Sequence, residues 1–329
     1  GDQLTEVWCA PTANQCAVGS QWPHMEFDWV QNAQLTPEEL TIRDALDNET
    51  VWTFDVQGQL TEIDWLTPSG VSRQASKTIN YDAEGRVSSI SQGGLSWTTT
   101  RTEISRVPSI DPSAAAVSTL EVVNAAPDGT STTSYVDSTI ARVYEAVNAA
   151  GETTSIQYDT DRRPLRVTYP EGNAVEYAYD ARGNVTTVTQ KAKPGSGLAD
   201  LVTSIDYPVT CTNRVTCNQP TSVTAPDGGV TVYQYDNTHG GVKRISLPPV
   251  DGLTPVNQVR YAAQTARFYS AEGQLTDASS SIFLPVRSFM CIVGGTCSQN
   301  PEHVRESRFE YGLPGQANNL QLTDIYQEI

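Results

Sequence analysis

Lysine is almost missing from this 329-residue chain, with four residues against 17 arginines. Basic residues number 21 against 38 acidic, giving a formal net charge of -17. So little positive charge argues against nucleic acid and against an anionic membrane surface, both of which need a basic footprint. No apolar run approaches the roughly 18 residues of a membrane-spanning helix, so no membrane insertion is expected. The opening residues, Gly1-Asp2-Gln3-Leu4-Thr5-Glu6, lack the basic and apolar parts of a signal peptide, so any export signal lies outside this sequence. Histidine is scarce as well: His24, His239 and His303 stand far apart, outside any nucleophile or metal motif. There is no Gly-x-Ser-x-Gly elbow, no His-Glu-x-x-His and no phosphate loop. The expectation is a protein that is not an enzyme and takes no cofactor or metal.

What is abundant points elsewhere. Threonine reaches 38 residues, beside 14 Tyr, 23 Gly and 19 Pro. Charged residues make up 18%, below the roughly 25% of ordinary soluble domains. Strand formers and turn formers dominate, so the chain is all-β on composition. At about 150 residues per domain, the length accommodates roughly two.

Six cysteines fall as three close pairs: Cys9 with Cys16, Cys211 with Cys217, and Cys291 with Cys297. Six allow about 15 connectivities, and closeness in sequence favours these three. Such short loops stabilise by less than the roughly 3 kcal/mol of a 15-residue loop, so they pin loop tips rather than hold the fold. Zinc would need close ligand pairs with histidine nearby, which the three histidines do not supply. Three local disulfides place the protein in an oxidising compartment, extracellular or at a cell surface.

The organising feature is a repeat. Thr168-Tyr-Pro-Glu-Gly-Asn-Ala-Val-Glu-Tyr-Ala-Tyr-Asp180 aligns without a gap on Thr224-Ala-Pro-Asp-Gly-Gly-Val-Thr-Val-Tyr-Gln-Tyr-Asp236. Seven residues separate turn glycine from aromatic in Gly172 to Tyr179, Gly228 to Tyr235 and Gly151 to Tyr158. The interval recurs from Asp47 to Phe54 and from Gly129 to Val136; Gly70 to Tyr81 is a longer copy. A second turn follows the aromatic, as in Tyr81-Asp-Ala-Glu-Gly-Arg-Val87, Tyr179-Asp-Ala-Arg-Gly-Asn-Val185 and Phe54-Asp-Val-Gln-Gly-Gln-Leu60. Tyr269-Ser-Ala-Glu-Gly-Gln-Leu275 is a weakened version, and Tyr158-Asp-Thr-Asp-Arg-Arg163 lacks the glycine.

Between turns the residues alternate, so Val175, Tyr177 and Tyr179 share one face of a strand. Asp55, Asp82, Asp159, Asp180 and Asp236 each follow the aromatic, where a carboxylate receives nearby backbone N–H groups and closes the next turn. Their repetition counts against catalysis or calcium binding. Each unit is a β-hairpin that cannot bury its face alone and leans on its neighbours.

The pattern resembles the RHS or YD-repeat family, whose naming dipeptide is carried by Tyr81-Asp82, Tyr158-Asp159, Tyr179-Asp180 and Tyr235-Asp236. The resemblance covers roughly residues 36–100 and 120–275. It implies tandem β-hairpin repeats stacked into a curved or spiralling antiparallel sheet, with very little helix. In the family such strips form hollow shells, around toxin domains in bacterial polymorphic toxins and as the extracellular barrel of teneurins. The Asp-Pro-x-Gly-Leu cleavage region of the toxin members has only a distant echo in Tyr311-Gly-Leu-Pro-Gly315. At this length the chain is expected to be an internal section of a shell wall or a processed piece.

The expected segments are 1–35 with a cysteine loop and tryptophans, repeats over 36–107, a linker or short helix over 108–119, repeats over 120–290 with the 211–217 loop, and a C-terminal segment 291–329 with the 291–297 disulfide loop and no clear repeat after Cys297. Thr36-Pro-Glu-Glu39 has the form of a helix-capping box, expected to give at most one or two turns of helix. The leading functional expectation is an extracellular scaffold, whose partners are neighbouring repeats of a longer parent chain or copies of itself joined end to end in a filament. Two alternatives stand beside it: a glycan-binding surface adhesin using Trp22 and Trp97, and a shell enclosing a toxin.

Overall fold

Short alternating segments separated by turn residues leave each strand with two unsatisfied edges, and within each unit described below the partner is the next strand along. The computed structural model describes residues 6–8, 24–31, 37–44, 46, 48–66, 73–110, 113–270, 274–291, 304–313, 315–317 and 319–328. No helix occurs among them. Two units, Gly1–Arg162 and Arg163–Ile329, carry the strands.

The first unit holds β1 (Glu6–Trp8), β2 (His24–Gln31), β3 (Pro37–Arg43), β4 (Glu49–Phe54), β5 (Leu60–Leu66) and β6 (Arg73–Tyr81). It continues with β7 (Val87–Gln92), β8 (Leu95–Arg106), β9 (Val117–Ala125), β10 (Ser131–Asp137), β11 (Arg142–Val147) and β12 (Thr153–Tyr158). Each strand from β1 to β11 pairs antiparallel with its successor.

The second unit holds β13 (Pro164–Thr168), β14 (Ala174–Tyr179), β15 (Val185–Lys191), β16 (Leu201–Asp206), β17 (Ser222–Thr224) and β18 (Val230–Tyr235). It ends with β19 (Val242–Ser246), β20 (Val256–Tyr269), β21 (Leu275–Cys291), β22 (Val304–Tyr311) and β23 (Leu322–Glu328). The antiparallel succession is again unbroken. The all-β hairpin array expected from the repeat is therefore present in both units.

Three expectations need correction. The capping-box segment is not a helix: Pro37–Arg43 is a strand whose Leu40 lies opposite Trp29 on one side and Trp52 on the other, and is 4% exposed. Sheet partners on both edges outweigh the capping signal, because propensity is a weak prior against tertiary pairing. The linker is shorter than 108–119, since β9 already begins at Val117. The region after residue 291 is not free of the pattern either; β22 and β23 extend the meander.

Few side chains are deeply buried. The buried apolar set among the described residues is Leu40, Tyr144, Ala174, Cys217, Val256, Phe289 and Cys291. A sheet with so thin a core relies on ladder hydrogen bonds and on cross-strand side-chain pairs, each contributing about 0.2–1 kcal/mol. Arg163 over the Tyr179 ring at 4.6 Å and Arg260 over Phe289 at 4.9 Å are such contacts, with the cation held against an aromatic face.

Two polar side chains, Thr119 and Glu145, are completely buried among the described residues of the first unit. Glu145 on β11 is 0% exposed and pairs with Arg106 of β8, whose guanidinium lies 3.7 Å from the Tyr135 ring centroid. Thr119 Oγ1 and Tyr144 Oη, 3.0 Å apart, complete the cluster. Removing the cation would strand a buried carboxylate. Arg106→Ala is expected to cost about 3–5 kcal/mol, read by denaturant unfolding of the whole chain; a loss below about 1 kcal/mol would show that Glu145 is not held by this partner.

Candidate functional site

The repeated residues form two devices. The first is the turn after the aromatic. In the Asp55 turn, the Asp55 N–H donates to Gln59 O at 2.9 Å and the Gly58 N–H donates to Asp55 O at 2.9 Å. The Asp55 carboxylate accepts the N–H groups of Gln57 and Gln59, both at 2.9 Å. Asp82 does the same for Glu84 and Arg86, and Asp180 for Arg182 and Asn184. Asp159 accepts the Asp161 N–H, and Asp236 accepts the Thr238 N–H. The fourth residue of the turn needs positive φ, which costs an L-residue about 1–2 kcal/mol and glycine almost nothing. Gly183 takes it at φ 87°, while in the glycine-less turn Arg162 takes the same conformation at φ 64°. Gly151, Gly172 and Gly228 occupy the matching place in the intervening turns.

Three of these carboxyls are perturbed accordingly. Desolvation pushes the Asp180 carboxyl up, but the Asn184 amide and the backbone N–H groups of Asn184 and Arg182 outweigh it and bring the pKa down to about 2. Asp82 and Asp236 are also lowered: for Asp82 the N–H and guanidinium of Arg86 outweigh desolvation, and for Asp236 the Thr238 N–H does most.

The second device is the tyrosine itself. Tyr81 Oη donates to Leu60 O at 2.7 Å, Tyr158 to Val143 O at 2.7 Å, Tyr179 to Pro164 O at 2.7 Å and Tyr235 to Pro220 O at 2.9 Å. Each accepting carbonyl belongs to the preceding strand or its approach, at a place where the ladder between the two strands has stopped. Ladder β5–β6 begins at Glu62↔Thr78, two residues after Leu60 and three before Tyr81. The same offsets hold at Glu145↔Ser155, Arg166↔Glu176 and Ser222↔Val232. An unpaired half-buried carbonyl is costly, and the phenol replaces the missing ladder bond. Tyr158 and Tyr235 are pushed up by burial, which keeps the donor proton in place.

Copies without the hydroxyl support this account. Phe54 stacks on Trp29 with centroids 6.4 Å apart, and ladder β3–β4 runs on to Glu39↔Thr53. Beside Val136, ladder β9–β10 runs through to Asp137↔Thr119. Where no hydroxyl is available, the backbone pairs to the end.

The offset rule finds three residues that the Tyr-Asp dipeptide missed. Tyr261 reaches Val242 O at 3.1 Å beyond Gln258, and Tyr311 reaches Pro285 O at 2.8 Å beyond Arg308. Arg101 Nη1 reaches Val87 O at 2.9 Å, three residues beyond Thr98 of the Ser89↔Thr98 pair. Val259-x-Tyr261 and Phe309-x-Tyr311 keep the alternation of Tyr177-x-Tyr179, a legible signal; Arg101 has none. Tyr269, the weakened copy, keeps its turn through Ser270 N–H to Gln274 O at 2.8 Å, but is 53% exposed and makes no such bond.

Cys211 and Cys217 are bonded, and their loop is seated on the Asp236 turn by Asn213 Nδ2 to Asn237 O at 2.8 Å and Gln219 Nε2 to Gly240 O at 2.9 Å. Cys291 is disulfide-bonded. Cys9, Cys16, Cys297 and Trp22 lie outside the described residues. Trp97 on β8 is 43% exposed opposite Ile90. His239 serves packing: its ring stacks on Phe283 at 4.4 Å, and Nδ1 accepts the Gly241 N–H at 3.1 Å. No group of three or more His, Cys, Asp or Glu side chains able to hold a metal occurs among the described residues.

The RHS Repeat family model matches residues 158–193, which contain two consecutive latch tyrosines, Tyr158 and Tyr179, and their aspartate turns. This chain carries an RHS repeat. The same turn-and-latch geometry recurs well outside the matched stretch, from Asp55 to Tyr311. No curated protein matches the sequence. Among solved structures, the chain is similar to one in the crystal structure of TcdB2-TccC3-Cdc42, with TM-score 0.44, 14% identity, 93% of this chain and 18% of that chain covered. It is similar also to a chain of TcdB2-TccC3, with TM-score 0.45, 13% identity and coverages of 93% and 18%. This chain thus spans less than a fifth of those chains.

Two outcomes test the devices. Tyr158→Phe should destabilise by about 1 kcal/mol in denaturant unfolding, the value of one half-buried hydrogen bond; no loss would mean that the carbonyl is satisfied without the phenol. Because Asp180 has a lowered pKa in the fold, its stabilisation is complete above the unfolded value near 4 and is lost as pH falls through about 2. Asp180→Asn should flatten the acid limb of the stability–pH profile between about pH 4 and pH 2, and an unchanged limb would exclude Asp180 as a contributor.

Proposed function

We propose that this chain is a section of the wall of an extracellular RHS shell, a non-enzymatic enclosure around a polypeptide cargo. The observation carrying the reading is the spending of its polar side chains: the recurrent tyrosines and aspartates are committed to the protein's own backbone, seam after seam. A catalytic centre is built once, whereas a wall needs the same joint many times. The local disulfide at Cys211–Cys217 fits an oxidising compartment. Within each unit, a sheet with so thin a core suits a partition better than a globule.

Electron microscopy of the native gene product, labelled with an antibody raised against this chain, tests the reading. The expected result is label on closed hollow particles. Label along filaments would replace the wall with the end-to-end assembly. Unassembled particles that bind a glycan array and lose binding on Trp97→Ala would replace it with an adhesin.

A further inference from the structure

One connection in the second unit is built differently from its neighbours. Asp180 and Asp236 close their turns with a carboxylate, but residues 207–221, which join β16 to β17, contain no carboxylate at all. What ties this insert is the Cys211–Cys217 bond. It reaches the turns on both sides. Toward the Asp180 turn, Pro208 O accepts Arg182 Nη2 at 2.7 Å, and Asn218 Oδ1 accepts Asn184 Nδ2 at 3.3 Å. Toward the Asp236 turn it places the Asn213 and Gln219 amides, and Gly240 leaves room for it, since a Cβ there would meet the Val215 side chain at 2.7 Å.

The same insert supplies the acceptor of a latch. Tyr235 Oη donates to Pro220 O, three residues past Cys217. Thr221, next in sequence, donates its N–H to Asp206 O at 2.7 Å and accepts the Tyr233 N–H at 2.9 Å. Because β17 has only three residues, these contacts make up a large share of what joins β16, β17 and β18. Little apolar packing assists: Cys217 is the insert's one deeply buried side chain, whereas Val209 is 98% and Val215 42% exposed.

We propose that Cys211–Cys217 is a reducible clasp, whose opening frees the insert from both neighbouring turns, withdraws the Pro220 carbonyl from Tyr235 and loosens the seam from β16 to β18. The reductant is a small anionic thiol of the glutathione class. Cys211 is exposed, and the only charge between the two cysteines is the exposed cation of Arg214, which attracts a thiolate. That thiolate attacks Cys211 Sγ, forms a mixed disulfide and expels the Cys217 thiolate, which takes a proton from water. A second reductant thiolate attacks the mixed disulfide at the reductant's own sulfur and expels the Cys211 thiolate, which is protonated in turn. The protein bond gains two electrons, and two reductant thiols end as one disulfide. Without the short cross-link the insert samples open conformations that the closed loop forbids. Under the wall reading, on which the biological sense of the clasp rests, an enclosure closed in an oxidising space loosens at this seam on entering a reducing one.

Hydrogen exchange of the whole chain, read by mass spectrometry in oxidising and in reducing glutathione buffers, tests the clasp. Alkylation and peptide mapping report whether Cys211 and Cys217 carry free thiols. The reducing buffer is expected to free both and to speed exchange of segment 221–235 about tenfold or more, with β9 and β10 unchanged. Cys211→Ser combined with Cys217→Ser should show the fast exchange already in oxidising buffer, which separates this bond from the other cysteines. Tyr235→Phe should speed exchange of the segment about fivefold in the oxidised chain and less than about twofold in the double serine variant. A bond that stays closed in the reducing buffer, exchange unchanged once the thiols are free, equal acceleration in β9 and β10, slow exchange in the double serine variant, or an undiminished Tyr235→Phe effect there would overturn the proposal. None of these bears on the microscopy of the oxidised particles, and filaments there would leave the exchange result standing.

Discussion

A backbone carbonyl that loses its ladder partner must find another donor, and the second unit and most of the first are organised around that requirement. Beside the aromatic the strand bulges against its following partner, as at Asn80/Tyr81 and Gln234/Tyr235, while the ladder with the preceding strand stops three residues earlier. At each of the seven latched seams this leaves one carbonyl facing a gap. Tyrosine at the strand end spans it; arginine does so once, at Arg101. Phe54 and Val136 cannot, and beside them the strands stay zipped. The repeating tyrosine is thus better understood as a hydrogen-bonding group than as a rung of an aromatic ladder, although Tyr233 and Tyr235 do stack at 6.4 Å.

The aspartate beside it solves the complementary problem. A tight loop exposes N–H groups inward, toward the space its own carboxylate can reach. Asp180 shows how strongly these donors hold the charged form, against the desolvation that accompanies its position. Tyrosine satisfies an acceptor on the preceding seam, and aspartate satisfies donors on the following turn. The dipeptide is a junction that serves two neighbours, which explains why it repeats as a pair.

Deviations from the repeat are as instructive as its copies. The Glu145–Arg106 pair occupies the neighbourhood of Val136, where the latch is absent and Tyr135 and Tyr144 instead wall a buried charge. β20 and β21 grow to 14 and 17 residues and outrun their neighbours. Asn319 then closes their flank, accepting the Arg267 N–H at 2.9 Å and donating to Thr265 O at 2.7 Å. Both features replace a periodic hydrogen bond with a specific one, consistent with the cost of leaving buried polar groups unmet.

The sequence by itself determined the strand class, the hairpin order and the turn chemistry of Asp55, Asp82 and Asp180, because alternation and turn residues act over a few positions. It marked Tyr81, Tyr158, Tyr179 and Tyr235 as repeated without revealing what their hydroxyls do. Only the tertiary structure decided that, since each phenol meets a carbonyl at least 15 residues away. It also recruited Tyr261, Tyr311 and Arg101, which lack the dipeptide, and turned Pro37–Arg43 from a candidate helix into a strand. Register between strands is set by every pairing along the seam at once, and no local signal in the chain carries it.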